Sequence, residues 1–520
     1  MNLIHKSAHF SLGILLAMTG AVTAMTGCAV GPNYKRPTVD VPVTYRGATA
    51  DSSTPPNARP DQAQPDQANP QHRPAGWPAQ SSPAQSLPAQ SLPAQSPSAQ
   101  TSSVQSLGDE KWWEVFQDPE LQSLIRTALK NNYDVRIAAT RVLQAQAQLG
   151  ITRADQLPSV SAGGNITSVQ NPVLGPIPSY ELTQGQVAAS AAYNLDFWGK
   201  YRRATEAARA NLLASQWAQK EVMASLVANL ATSYFQLRQL DLELEISRRT
   251  LSSRGDSLKL TQTLEQHGIN SMLDVRQSEQ LVYTAATEVP DFERQIAQQE
   301  NAISILLGNN PGDVPRGLKL TEQPHTPEVP VGLPSSLLER RPDIREAEAN
   351  LIAANAEIGV ARAAYFPQIS LTGTAGFESP ALTNLFTGPA GIWDLAASLT
   401  QPIFEGGRLK SNVHLTEAQR DQMVLTYRQT IQGAFRDVSD ALIAYQKDQE
   451  FAAQQQHLFE SAEDAARLSQ IRFKAGTADY LEVLTNETNS LSAELGLAQA
   501  QGNQLIALVQ LYQALGGGWQ

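Results

Sequence analysis

The chain has 520 residues, 42% of them hydrophobic but only 6% aromatic and 17% charged, and carries a formal net charge of −11. Length alone would suggest about three domains of roughly 150 residues, while the acidic balance argues against a nucleic-acid backbone as partner and a single Cys excludes an intramolecular disulfide or a Cys-rich metal site. Beyond the N-terminus no apolar stretch approaches about 18 residues, which excludes an interior membrane-spanning helix but not the alternating strands of a β-barrel.

In chain order the first element is an address. His5 and Lys6 precede an apolar run from Phe10 to Val22, and small residues lead to Thr26, Gly27 and Cys28, the layout of a secretory signal peptide. The segment resembles a bacterial lipoprotein signal, in which the cysteine becomes the lipid-bearing first residue. Gly27 matches that pattern, Met25 stands where Leu is usual, and Ala29 stands where an inner-membrane retention aspartate would be. The expectation is a signal peptide over 1–27 and an outer-membrane lipoprotein anchored at Cys28, followed by a lipidated segment over 28–48. Residues 49–107 are dominated by Pro, Gln, Ser and Ala, with a Pro-Ala-Gln-Ser-Leu unit beginning at Pro83 and Pro88. That composition cannot offset ordering entropy and reads as a disordered spacer.

From there the pattern predicts a helix over Asp118 to Asp155, stopped by Leu157-Pro158. A strand pair follows. Val160, Ala162, Gly164 and Ile166 alternate with polar or small residues, as do Val187, Ala189, Ala191, Tyr193, Leu195 and Phe197. Period-two runs of about ten residues suit a tilted membrane-spanning strand. Gly199 to His267, taken as one helix, would run about 104 Å at about 1.5 Å per residue. The returning segments Asn270 to Leu307, about 57 Å, and Ser335 to Tyr365, about 47 Å, match it together, with Pro290 expected to kink the first.

The order then repeats. Asn132, Asp134, Arg136, Gly150, Arg153 and Pro158 recur as Arg341, Asp343, Arg345, Gly359, Arg362 and Pro367 at an offset of 209, and Gly199, Gly268, Val275 and Gly308 recur as Gly407, Gly476, Val483 and Gly516 at 208. The second strand pair carries Ile369, Leu371, Gly373, Ala375 and Phe377, then Trp393, Leu395, Ala397 and Leu399. A spacing held over this length marks an internal duplication. The expected division is a first repeat over 108–310, an irregular connection over 311–334 and a second repeat over 335–520. Neither repeat is expected to have a core of its own. Four strands cannot close a barrel, because about eight is the smallest seen and open edges in lipid leave backbone groups unpaired. Several chains must therefore pool their strands.

Trp112, Trp113, Phe116, Asp118, Pro119 and Leu121, then Ala128, Leu129, Asn131 and Asn132, the junctions Asp196 to Gly199 and Phe404 to Arg408, and the segment Gly27 to Pro37 together look like the TolC-type outer-membrane efflux channels, in the lipoprotein branch typified by OprM and NodT. The resemblance covers nearly the whole mature chain apart from the spacer. It implies an α+β membrane protein: a trimeric twelve-stranded β-barrel, four strands per chain, continued by a long α-helical periplasmic barrel. It also implies a homotrimer, a periplasmic membrane-fusion adaptor and an inner-membrane resistance-nodulation-division pump as partners, with small toxic compounds or drugs as cargo. No cofactor is implied beyond the lipid on Cys28.

A channel's chemistry lies at its narrowest point, and the tips of the long hairpins, Gln266 to Asp274 and Lys474 to Thr485, are the natural constriction. The resemblance implies an apolar ring there and an acidic ring one turn further on; Leu481 fits the first, while the second falls on Thr485. Asp274, Asp479 and Glu482 are nearby carboxylates that fit either a charged gate or ordinary helix capping. The seven histidines show no metal-ligand spacing, and neither a phosphate loop nor a nucleophile elbow is present, so no enzymatic activity is expected. Alternative functions are an exit duct for type I protein secretion, a non-pore coiled-coil adaptor, or an outer-membrane enzyme.

Overall fold

A computed structural model describes residues 29–42, 44–46, 106–172, 175–176, 179–324, 332 and 334–519. The signal peptide, Cys28 and nearly all of the 49–107 spacer lie outside the described residues.

Besides a four-residue helix over Trp112–Val115 and short 3-10 turns, the helices among the described residues are α1 (Pro119–Asn131), α2 (Tyr133–Ala154), α3 (Lys200–Gln266), α4 (Met272–Leu306), α5 (Pro334–Arg340), α6 (Pro342–Ala363), α7 (Arg408–Lys474) and α8 (Tyr480–Ala514), and the strands are β1 (Ser159–Asn171), β2 (Tyr180–Leu195), β3 (Gln368–Ser379) and β4 (Gly391–Thr400). The duplication is visible in the lengths: α2 and α6 have 22 residues each, α3 and α7 67 each, α4 and α8 35 each. At about 1.5 Å per residue the two longest helices reach roughly 100 Å. Both begin after a glycine in the left-handed region, Gly199 (φ 79°) and Gly407 (φ 89°), where a side chain would be strained.

The predicted helix from Asp118 to Asp155 is two helices. Asn132 leaves the helical region and caps α2, its Oδ1 accepting from the N–H of Asp134 at 2.8 Å and of Val135 at 3.2 Å. The predicted helix from Ser335 to Tyr365 likewise breaks at Arg341, which is extended because Pro342 follows it. The two breaks do the same job with different chemistry. Asn132 Nδ2 donates to the carbonyl of Leu306 at 3.0 Å, and Arg341 Nη1 donates to that of Ala514 at 3.2 Å. Each ties the start of a short helix to the last residue of a returning one. Pro290 sits inside α4, whose span is unbroken.

The strands form one antiparallel sheet in the order β1-β2-β3-β4, so the two repeats meet at the β2–β3 pair. β2 starts earlier than the alternation suggested, at Tyr180. The register places Val160 opposite Ala191, Ala191 opposite Gly373 and Gly373 opposite Leu395. Because side chains alternate along a strand, the apolar residues of the four alternating sets stand on one face of the sheet, except Phe197, which falls past the end of β2 at Leu195. Trp393 and Leu395 on that face are 80% and 78% exposed. The other face carries Ser161, Asn165, Gln186, Ser190, Thr372, Thr374 and Ser398.

The main core lies at mid-height and is shared by both repeats, with Leu121, Ile125, Tyr234, Leu237, Ile303, Leu337, Ile344, Tyr427, Ile431, Val509 and Tyr512 among its buried residues. The chain thus has one core between its two repeats, where the few aromatics concentrate: Phe116 meets Tyr512 edge-on at 5.8 Å and Phe235 at 6.4 Å. Asp118 organises its edge. Its Oδ1 caps α1 by accepting from Glu120 and Leu121 N–H groups, and its Oδ2 accepts from the Tyr234 hydroxyl at 2.9 Å, Leu318 N–H at 3.0 Å and Gln323 Nε2 at 2.9 Å. Burial pushes this carboxyl up, but the hydrogen bonds, led by those of Gln323 and Tyr234, outweigh it and hold the group below the usual carboxylate range.

Candidate functional site

The far ends of the helical hairpins are built by two tight turns. Between α3 and α4 the chain reverses through Gly268 (φ 73°), and between α7 and α8 through Gly476 (φ 70°), each with open space where a Cβ would go. The positive φ, not crowding, is what requires glycine at both turns. Ser271 and Asp274 then form a reciprocal capping box: Asp274 N–H donates to Ser271 Oγ at 3.3 Å, and Asp274 Oδ2 accepts from Ser271 N–H at 2.9 Å. Asp479 caps α8 by accepting from the N–H of Leu481.

The structure therefore places the sequence-predicted tip residues in two groups. Asp274 and Asp479 are engaged as helix caps, and Glu482 is ion-paired with Arg472 of the adjoining helix α7. Leu481 and Thr485 lie one turn apart on the exposed face of α8, with the Thr485 hydroxyl donating to the Leu481 carbonyl at 2.9 Å. Continuing along α8, Thr488, Asn489 and Ser492 are also exposed, so the apolar Leu481 stands at the mouth of a neutral polar stripe. His267 Nδ1 contacts the Thr263 carbonyl at 2.7 Å, and no group of His, Cys, Asp and Glu suited to a metal ion occurs among the described residues.

Sequence reasoning missed what joins the two hairpins here. Tyr480 is buried with Val483 and Leu484, its ring 5.1 Å from that of Phe473, and its hydroxyl hydrogen-bonds to Ser278 of α4, which in turn donates to Thr261 of α3 at 3.3 Å. Nearby, buried Arg254 Nη1 donates to the Leu281 carbonyl at 3.0 Å. Tyr480 and Ser278 are far apart in sequence; only the burial of Tyr480 at the first position of α8 could have hinted at a partner.

At the other end, the sheet's polar face carries Glu378 and Asp394, and none of the four strands contains Lys or Arg. Asp394 lies opposite Thr374, and Ser190 and Thr374 approach to 3.5 Å across the β2–β3 seam. Residues 29–36 run as a strap beside the strand-to-helix junction. Val30 N–H donates to the Trp198 carbonyl at 3.0 Å, Asn355 Nδ2 to that of Pro32 at 2.9 Å, and Arg203 Nη2 to Asn33 Oδ1 at 2.8 Å. Arg36 closes the strap on Glu348 at 2.8 Å and Glu339 at 2.6 Å. A Cβ on Gly199 would come within 2.8 Å of Ala29. The residue after Cys28 is thereby pinned just past the end of β2.

No helix among the described residues is long and apolar enough to cross a membrane, whereas a sheet with an apolar band on one face, giving way to Ser168, Thr183, Gln170 and Glu181 at the far ends of β1 and β2, and a mainly polar other face is the unit of a membrane barrel. Joined to helices of roughly 100 Å, it defines a subunit of an outer-membrane channel with a helical periplasmic extension. The model of the outer membrane efflux protein family matches residues 124–309 and again 333–517, and the chain belongs to that family. The Pseudomonas putida probable efflux pump outer membrane protein TtgC is 38% identical over 419 residues, covering 79% of this chain and 86% of TtgC. The cation efflux system protein CusC of Escherichia coli is 34% identical over 410 residues, covering 79% of this chain and 88% of its own. Among solved structures, the open state of the Neisseria gonorrhoeae MtrE outer membrane channel superposes with a TM-score of 0.77 at 29% identity, covering 95% of this chain and 99% of that one. The protein is an outer-membrane efflux channel with the fold of the trimeric twelve-stranded barrels and their helical extension.

Proposed function

We propose that three copies of this chain close around one pore and passively conduct small toxic compounds or drugs outward, in a tripartite pump with a periplasmic membrane-fusion adaptor and an inner-membrane resistance-nodulation-division transporter. The observation that carries the reading is the sheet: four strands with an apolar and a polar face and two unpaired edges satisfy their backbone in lipid only by closing with further copies. The names of the relatives support the cargo class, since TtgC is described as an efflux pump component and CusC as part of cation efflux.

In this reading Cys28 carries the lipid. Ala29, held at the junction below β2, puts that lipid at the periplasmic rim of the barrel, where acyl chains meet the inner leaflet of the outer membrane. The residues on either side of the spacer, Tyr45 and Leu107, are both buried in the main core, so the spacer leaves and rejoins the wall at that core. The hairpin tips form the gate. Leu481 supplies the constricting apolar ring and Thr485 a neutral ring one turn on, while Asp274, Asp479 and Glu482 hold the turns in shape.

Conductance in planar bilayers tests the gate. Leu481→Ser is expected to raise single-channel conductance and the resting leak of antibiotics in cells. Unchanged conductance would remove Leu481 from the gate, and the absence of any channel activity in the unsubstituted protein would remove the pore reading altogether.

A further inference from the structure

The loop between β3 and β4 is not composed like a water-facing turn. From Ser379 to Ile392 the chain has no Asp, Glu, Lys, Arg or His, and it carries Leu382 and Phe386, 62% and 72% exposed. It lies at the end of the sheet away from the helices. It is also folded to one side. Leu385 is buried, Phe386 meets the ring of Phe377 at 5.7 Å, and a Cβ on Gly185 would fall 3.1 Å from Leu382 Cδ2. Phe377 and Gly185 belong to the apolar face of the sheet, so the loop bends over that face rather than over the polar one.

The strands set its level. β1 and β2 run on together past the last β2–β3 pair, Gly185 with Ser379, and there the face that was apolar carries Ser168, Gln170, Glu181 and Thr183. The loop thus stands at the height where the apolar band ends. Between it and the strands runs a groove lined by Gly164, Ile166, Gly185, Val187, Leu382 and Leu385, hollow because Gly164 and Gly185 stand diagonally between Ile166 and Val187 with no side chain of their own. The loop also supplies its own backbone partners, as an irregular segment bordering hydrocarbon must. Ser379 Oγ accepts from Ala381 N–H at 3.2 Å. Two 3-10 turns, Leu382–Asn384 and Gly388–Ala390, follow, with Leu385 N–H donating to the Leu382 carbonyl at 3.3 Å, Thr387 N–H to that of Asn384 at 3.2 Å and Ala390 N–H to that of Thr387 at 3.0 Å. Pro380 and Pro389 have no N–H to satisfy.

We propose that this loop lies in the outer leaflet of the membrane, at the boundary between acyl chains and headgroups, and that a lipid acyl chain fills the groove beneath it. The occupant follows from continuity. Ile166 and Val187, the floor of the groove, top the same face on which Trp393 and Leu395 stand exposed. A water-soluble partner would find no charge on the loop to recognise, whereas an interfacial segment binds in proportion to the apolar area it sinks, here that of Leu382 and Phe386. The loop then fixes the height of the channel from the outer leaflet, as the lipid on Cys28 does from the inner one. This rests on the reading of the sheet as part of a membrane barrel and adds the place where that barrel grips lipid.

The test is nitroxide accessibility in the full-length protein, reconstituted in phosphatidylcholine vesicles. Leu382→Cys, Phe386→Cys, Leu395→Cys and Gln170→Cys are spin-labelled one at a time, and the unsubstituted protein treated alike supplies any background from Cys28. Oxygen concentrates in hydrocarbon and a nickel chelate stays in water. The ratio of oxygen to nickel relaxation is expected to be several times higher at Leu382→Cys, Phe386→Cys and Leu395→Cys than at Gln170→Cys. If nickel reaches the two loop labels as readily as Gln170→Cys while Leu395→Cys stays in hydrocarbon, the loop and its groove lie in water and the proposal is overturned. Shielding of Phe386→Cys from both reagents would mean that protein covers the loop, and would overturn it equally. If Leu395→Cys is itself as open to nickel as Gln170→Cys, the membrane-barrel reading fails together with the loop's place in lipid.

Discussion

The sheet's two faces make opposite demands on a charge, and neighbouring residues of β4 test them. Leu395 stands in the middle of the strand on the apolar face, opposite Gly373; Ala396 stands on the polar face, opposite Thr372 and on the same side as Asp394. An arginine facing lipid near the bilayer midplane costs about 2–4 kcal/mol, falling to about 1 or less near the interface. At about 1.4 kcal/mol per tenfold, Leu395→Arg should lower the equilibrium for inserting one chain by roughly 30-fold or more, and three copies act together in a closed barrel. Ala396→Arg points the same charge into water beside Asp394 and should insert normally, while shifting ion selectivity toward anions. The assay is the fraction of protein recovered as inserted oligomer in lipid vesicles, with reversal potentials measured for the variant that inserts. Loss of insertion for Ala396→Arg with retention for Leu395→Arg would reverse the faces. Equal insertion of both would mean that this sheet does not face hydrocarbon at all.

Two further substitutions address the helical part. Asp118→Ala leaves the Tyr234 hydroxyl, Gln323 amide and Leu318 N–H without their buried acceptor and should cost about 2–4 kcal/mol, read as a lower urea midpoint at pH 7. Because the folded carboxyl lies below its ordinary range, its contribution is complete above the unfolded value near pH 4 and is lost as pH falls through the folded value; the gap between the two proteins should narrow in acid, and a constant gap would refute the assignment. Gly476→Ala should cost about 1 kcal/mol, since the left-handed backbone is strained for any side chain while the space around it is open. The effect should appear as faster amide exchange confined to residues around the second tip, with the global transition unmoved.

Much of the architecture was legible because it rests on periodicities that neighbouring residues impose. The alternating sets beginning at Val160, Val187, Ile369 and Trp393 fall on one face of one sheet, and the glycines at 199, 268, 407 and 476 mark the ends of the long helices to within a residue or two. The errors were equally physical. Asn132 ends a helix through a side-chain acceptor that competes with the backbone, and an apolar pattern running unbroken from α1 into α2 hides it. Pro342 was a visible stop signal at the corresponding place in the second repeat, and the duplication could have carried it back to Asn132. At the tips, residue types were readable but their employment was not. Glu482 as a free pore carboxylate and Glu482 paired with Arg472 leave the same trace in sequence, because the pair spans the turn between two helices.

The same limit explains why the aromatics misled. Spread over the whole chain they are too few for three domains, yet Phe116, Tyr234, Phe235 and Tyr512 meet where both repeats, α1 and the connection near Gly317 converge. A wall of Ala-rich helices gains little from burial per residue, since Ala removes little apolar area from water. It must be held in register at one height and closed sideways elsewhere. The mid-height core does the first within a single chain. The second is beyond one chain, in which Leu143, Leu415 and Leu425 stand exposed on α2 and α7 while the large aliphatics of α3 and α6 are mostly covered.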